Sequence, residues 1–410
     1  MSTEHAVAIR RSAPPTRTEE RPLARPQSRA RVAHVITGLG MGGAERMLQR
    51  LLGMLDADRF ECEVLSLTPG GRVGDEIRAG GVPVRAPARP GLAALAQTLA
   101  GTARAWRRRP PDLVQGWLAH GNLTASAMAR AMPGGRPPVV WNVRQAIYAL
   151  EYERASTARL LRLAARVSRS ADRIIYNSST AARHHAALGF APELAAVVPN
   201  GFETDASCGD PRDRAAARHA WGVDDATLVV GIVARYHRHK DHPTFLRAIR
   251  TLVDRGMPVV GIAAGAGIDG QNAELAALVS SLGLATRVRL LGDRPDVARL
   301  YPGFDVACLS SITESFPNAL GEAMAAGVPC VATNVGAAAE LIADTGRVVP
   351  PGDPVALAGA IAELADAGPL ARAELGRQAR DRIESSFSLR AVARRYETLY
   401  AELLADVAER

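Results

Sequence analysis

Residues 305–329 constrain this chain more than any other stretch. Asp-Val-Ala-Cys-Leu-Ser at 305–310 is an apolar run of strand length, and the segment that follows reads as a short helix closed by Gly327 and Pro329. Ser315 suits the cap of that helix and Pro317 its first turn. A strand that passes directly into a helix is the repeating unit of a parallel sheet with helices on its faces. It places Glu314 at the lip of the turn and Glu322 about two turns along the helix. Such a turn aims unpaired backbone N–H groups and the positive end of the helix at the space in front, where an anion can sit. Asn318, Ala319, Ala325 and Ala326 share the face of Glu322 and are small enough for a ligand or a second backbone to come close. The local pattern alone fits equally well a capping Glu and a solvated Glu on an ordinary helix.

The same unit recurs. Apolar runs at 31–37, 112–115, 139–144, 173–178, 228–234, 258–264, 287–292 and 328–333 alternate with helical periodicity, which gives an α/β protein. The 410 residues exceed one hydrophobic core, so two domains of roughly 150 to 200 residues are expected. The hinge falls at 203–211, where Gly, Asp, Ser and Pro accumulate. Residues 1–30 hold six arginines against three acids and several prolines, and read as a disordered basic leader.

With 47% hydrophobic residues the chain is globular, and no apolar run reaches the roughly 18 residues of a membrane span. A cytoplasmic protein is expected; the cluster Arg104 and Arg107 to Arg109 reads first as cations closing a helix C-terminus, and otherwise as a patch that touches anionic lipid at the inner face of the membrane. The net charge of +8 is compatible with nucleic acid, a membrane surface or an anionic substrate and does not choose among them. Cys62, Cys208, Cys308 and Cys330 form no CxxC pair and read as free thiols, three of them in strand-like runs.

Several motifs carry candidate chemistry. GxGxxG occurs at Gly38–Gly43 and again at 265–270, and only the second is followed by a strand ending in an acid, Gly292-Asp293, as a nicotinamide site requires. The run Arg235-Tyr-His-Arg-His-Lys240 follows a strand and suits a phosphate or a solvated loop. His237, His239 and His242 lack the Cys or carboxylate partners of a metal set, so no metal is expected. Asp56-Ala-Asp58 has the form of a metal-binding pair but lies in a polar turn, and is read as turn chemistry. His120 and Arg144 each follow a strand; alone, His120 is a structural histidine, and Arg144 either faces an anionic acceptor or makes a structural salt bridge.

Glu-Ser-Phe-Pro-Asn-Ala-Leu-Gly-Glu-Ala-Met-Ala-Ala-Gly-Val-Pro, with its Glu-x7-Glu, resembles retaining glycosyltransferases of the GT-B fold, family 4. The resemblance runs from about residue 31 to the end and includes Gly-Gly-Ala-Glu at 42–45, His120, Arg235 with Lys240, and Pro-Asn-Gly-Phe at 199–202. It implies two Rossmann-like domains, at 31–203 and 204–386, facing a cleft, with the nucleotide sugar on the second, the acceptor on the first, and a last, closing helix at 387–410 that packs back on the first. It also implies that Glu314 holds donor-sugar hydroxyls, Glu322 the ribose, Arg235 and Lys240 the diphosphate, and that Gly42 and Gly43 approach the diphosphate and acceptor. His120 would contact the hexose; Gly292 and Asp293 would lie where backbone reads the base, with Arg294 as a stacking or phosphate partner. Ser315, Phe316, Asn318 and Ala319 would border the donor. A carboxylate suits a vicinal diol because it accepts two hydrogen bonds and donates none.

The implied activity is metal-free transfer of a hexose with retention, from a nucleotide sugar (UDP ahead of GDP) to a glycan or lipid-linked acceptor in bacterial cell-surface synthesis, without nucleic acid as partner. A nucleotide-sugar epimerase of the same fold, an NAD-dependent dehydrogenase and a silent binding module are the alternatives.

Overall fold

The computed structural model describes residues 29–148, 154–204 and 211–409. Most of the expected leader, Cys208 and residues 205–210 of the expected hinge lie outside the described residues.

Two wholly parallel sheets form. The first contains β1 (Ala30–Ile36), β2 (Phe60–Ser66), β3 (Val84–Arg85), β4 (Leu113–Trp117), β5 (Val139–Val143), β6 (Arg173–Tyr176) and β7 (Ala195–Val197) in the order β3-β2-β1-β4-β5-β6-β7. The second contains β8 (Leu228–Val233), β9 (Val259–Ala264), β10 (Val288–Leu290), β11 (Val306–Leu309), β12 (Cys330–Thr333) and β13 (Gly346–Val349) in the order β10-β9-β8-β11-β12-β13. Helices cover both faces, so the central strands are buried on each side; this is why they read as continuous apolar runs instead of alternating ones. Each sheet reverses its winding once, between β1 and β4 and between β8 and β11. Loops leaving the carboxyl ends of those strands diverge, and a crevice opens there.

The expected turn at Asp56-Ala-Asp58 is present: the Asp58 N–H donates to Asp56 Oδ1 at 2.9 Å, and the Asp56 N–H donates to Glu397 Oε1 at 2.8 Å. The Asp56 carboxylate thus closes an Asx turn on the Asp58 N–H.

The chain passes between the two units at two adjacent points. The Phe202 N–H donates to the Phe387 carbonyl and the Leu389 N–H to the Phe202 carbonyl, both at 2.9 Å. Phe202 belongs to the core of the second unit, where its ring stacks on Phe316 at 6.0 Å between centroids. Helix Leu389–Ala408 then returns to the first unit and buries Val392, Tyr396, Leu399, Tyr400 and Leu403 beside β1, β4 and β5. Tyr400 donates its hydroxyl to Gln115 Oε1, and Tyr396 stacks on Trp117 at 6.5 Å. No single helix among the described residues is long and apolar enough to cross a membrane.

Cys62, Cys308 and Cys330 are free thiols on β2, β11 and β12, and burial pushes the Cys62 thiol up to about 12.

Candidate functional site

The loops at the carboxyl ends of seven strands converge on one cleft of about 410 Å3. Gly43, Ala44 and Glu45 come from the loop after β1, Leu118 from β4, Arg144 to Ala146 and Tyr148 from β5, Asn177 from β6 and Asn200 from β7. Opposite them stand Arg235, His237, His239 and Lys240 after β8, and Thr313 to Phe316 with Asn318 after β11. Both winding reversals therefore face the same space.

On the second unit, Lys240 Nζ lies 2.5 Å from Glu314 Oε1, and Ser311 Oγ donates to the same oxygen at 2.8 Å. Arg235 is exposed and makes no ion pair among the described residues. His237 Nδ1 accepts from the His239 N–H at 3.2 Å, and burial, followed by the neighbouring cations, lowers the His237 imidazole below its ordinary range. Among the described residues no group of three or more His, Cys, Asp or Glu is arranged to hold a metal.

Helix Gly43–Leu52 begins behind an N-cap, Gly42, that offers no side-chain bond, and its first turn, Gly43 to Glu45, lines the cleft with the Glu45 carboxylate packed against Gly42. A Cβ at Gly43 would stand 3.6 Å from Asn318 Nδ2, which puts the Gly43 backbone directly across the cleft from the second unit. Leu118, at the start of helix Leu118–Arg130, has φ of +63°, a left-handed conformation that costs a leucine about 1–2 kcal/mol.

The expected cap is replaced. Helix Asn318–Ala325 takes Pro317 as its N-cap with no side-chain bond, because Ser315 Oγ turns away and donates to Asn177 Oδ1 of the first unit at 2.6 Å. Asn200 Nδ2 donates to Asn318 Oδ1 at 2.6 Å, and Tyr148 Oη donates to the Glu314 carbonyl at 2.7 Å while accepting from the Gly336 N–H at 3.0 Å. Burial raises the Tyr148 hydroxyl above its ordinary range. Sequence reasoning assigned no role to Asn177, Asn200 or Tyr148, although each sits just past a strand end.

Arg144 makes no salt bridge among the described residues, although it lines the cleft. Nη1 donates to the Val198 carbonyl at 3.2 Å and to Asn200 Oδ1 at 3.1 Å, Nη2 donates to Tyr396 Oη at 2.5 Å, and the guanidinium lies 5.4 Å over the Trp117 ring. Burial lowers its pKa below the usual arginine range.

Glu322 lines a second cavity, of about 300 Å3, with Arg50, Phe202, Glu203, Tyr301, Ala325 and Ala326 among its neighbours. Tyr301 Oη donates to Glu322 Oε2 at 3.1 Å, and burial raises the carboxyl above its ordinary range. Glu314, in the loop before helix Asn318–Ala325, and Glu322, on that helix, thus line different chambers. Pro295, Val297 and Ala298 from the loop after β10 also line the second chamber, whereas Gly292 and Asp293 line neither. Gly292 is needed for its φ of +72°, Asp293 is exposed, and Arg294 is bound to Asp296 at 2.6 Å. His120 is exposed and Ala319 half-buried, and both stand outside the two linings. Phe316 is a core residue, 7% exposed, stacked on Phe202.

The second glycine loop lacks the architecture of a dinucleotide site. Helix Ala273–Ser281 starts well past Gly265 and is capped by Asn272, whose side chain accepts from the Leu275 N–H. A Cβ at Gly265 would stand 2.3 Å from the Ala234 carbonyl, so backbone packing accounts for that glycine.

Residues 41–206 match the family described as Glycosyltransferase Family 4, and residues 227–367 match Glycosyl transferases group 1. A lipopolysaccharide core biosynthesis mannosyltransferase, LpsB of Rhizobium meliloti, is 30% identical over 66% of this chain and 82% of its own length. This chain is a member of glycosyltransferase family 4. A D-inositol 3-phosphate glycosyltransferase of a Mycobacterium strain is 36% identical, and the matched segment spans 44% of this family 4 chain and 41%, under half, of that relative. The fold is GT-B: HepE of Anabaena, solved in complex with UDP, superposes with a TM-score of 0.78 over 90% of this chain and 100% of its own, at 24% identity.

Proposed function

We propose that this family 4 protein transfers a hexose-type sugar from a nucleoside diphosphate sugar, UDP ahead of GDP, to a glycan or lipid-linked acceptor, with retention and without a metal. The observation that carries the reading is the cleft itself: Arg235 and Lys240 leave β8 at one winding reversal and face the uncapped Gly43 helix start at the other. Departure of a nucleoside diphosphate builds negative charge, which two cations and a helix start can stabilise in a partly closed space. Glu314, held by Lys240 and Ser311, would orient sugar hydroxyls, and Glu322 the ribose in its own chamber. His120 is assigned to the rim, beside the hexose. The departing phosphate oxygen takes the acceptor proton, so no glycosyl-enzyme bond forms. The UDP complex of HepE and the mannosyltransferase name of LpsB support donor and class. Cytoplasmic action beside a membrane, on surface polysaccharide or glycolipid, belongs to the same proposal.

Thermal shifts with UDP, GDP, ADP and NAD, with and without EDTA, test it on wild type and Glu322→Ala. The reading expects a UDP or GDP shift that survives EDTA and is lost in the variant. A shift with NAD alone, or only with divalent metal, would refute it.

A further inference from the structure

Arg144 carries a charge that has no counter-ion among the described residues. Its four partners are the Val198 carbonyl, the Asn200 amide oxygen, the Tyr396 hydroxyl and the Trp117 ring, all neutral. Its Nε is buried with no hydrogen-bond partner. Of five N–H groups, three are used. The carboxylates that line the cleft are Glu45 and Glu314, and Glu314 is engaged by Lys240. A half-buried cation without an opposite charge has lost water without regaining an ion pair, and the arrival of an oxyanion restores the balance. Tyr396, from the closing helix, and Asn200 fix the plane of the guanidinium in advance, which reduces the ordering needed on binding.

The location narrows the ligand. Arg144 follows β5 of the first unit, whereas Arg235 and Lys240 follow β8 of the second. On the donor reading above, those two serve the diphosphate. We propose that Arg144 holds an oxyanion, phosphate or carboxylate, carried by the acceptor, so that the acceptor of this transferase is an anionic molecule and Tyr396 and Asn200 are positioning residues for its recognition.

The test is calorimetric titration of the full chain with inorganic phosphate and, separately, acetate, at saturating UDP and constant ionic strength. Wild type should bind one of the two anions, which identifies the group. Arg144→Met should weaken that binding by about tenfold or more, and Arg144→Lys less, since a point charge replaces part of the fork. UDP affinity should stay within about twofold of wild type in both, because the donor cations are untouched. If Arg144→Met does not fold, the Lys variant decides. Equal anion binding in wild type and variants, no anion binding by wild type, or UDP affinity falling in parallel would overturn the proposal. Absence of UDP binding in wild type would sink the donor reading alone; the same anion comparison without nucleotide then decides Arg144.

Discussion

Lys240 Nζ and Glu314 Oε1 are 2.5 Å apart, joining the loop after β8 to the loop after β11 across the winding reversal of the second sheet. The pair is three-quarters or more buried on both sides, so each charge holds the other in place at the cleft wall. On the proposed function, in which the cation acts on charge that forms only in the transition state, Lys240→Ala should lower kcat by roughly 10²- to 10³-fold while changing donor affinity far less. Steady-state kinetics alongside calorimetry with the unreactive nucleotide will separate the two; equal losses would contradict the assignment.

Glu322 costs the folded state stability at neutral pH. Its folded carboxyl titrates above the ordinary value of 4.5, through burial, so the folded state binds more protons there than the unfolded state. Stability is then lost as pH rises from about 4.5 through the folded value. Glu322→Gln should therefore raise the melting temperature at pH 7.5, leave it unchanged near pH 4, and remove the stabilisation given by UDP. A lower melting temperature at neutral pH would show that the carboxylate is a structural asset.

His34 on β1 is fully buried and accepts from Trp117 Nε1 at 3.2 Å, and burial pushes its imidazole down to about 3. The unfolded histidine takes up a proton near pH 6.5 while the folded one does not, so stability falls as pH drops from 6.5 toward 3. At pH 5 this one group removes about 2 kcal/mol. His34→Asn keeps an acceptor for Trp117, and urea unfolding from pH 7.5 to 5 should show a correspondingly shallower decline.

Tyr148 fastens the first unit to the backbone of Glu314 and Gly336. Tyr148→Phe should cost only about 0.5–1.5 kcal/mol of stability. Combined with Ser315→Ala and Asn200→Ala, it should open the cleft, visible as a larger radius of gyration in small-angle scattering. An unchanged radius would mean that the two crossings at Phe202 and Leu389 set the angle unaided.

Gly321→Ala isolates a packing constraint. A Cβ there would stand 2.0 Å from the Phe202 ring, in the core beside the crossing. Overpacking should cost at least about 1–3 kcal/mol, measured as a lower denaturation midpoint at unchanged slope.

The central strands and the helices between them, the sites of the glycine loops, the cation loop at 235–240 and the carboxylates at 314 and 322 are legible in the amino-acid sequence, because fully buried parallel strands are continuous apolar runs and helix starts carry local signals, whereas the short, part-exposed β3, β7 and β13 are not. The neutral reading of Asp56-Ala-Asp58 was legible for the same reason: an Asx turn is a bond between neighbours. Contacts between distant elements were not legible. Ser315 has the chemistry of a cap, yet it bonds Asn177, 138 positions away, because the two domains close on it. Arg144 reads either as a contact for an anionic acceptor or as one half of a salt bridge, and only the return of the closing helix supplies Tyr396 where the second alternative expects an acid. The division of Glu314 and Glu322 between two chambers, and the meeting of both winding reversals at one cleft, follow from strand order and domain closure. Local propensity is fixed within a few residues of sequence; strand order and closure are fixed by which surfaces bury each other, and those surfaces exist only once the chain has folded.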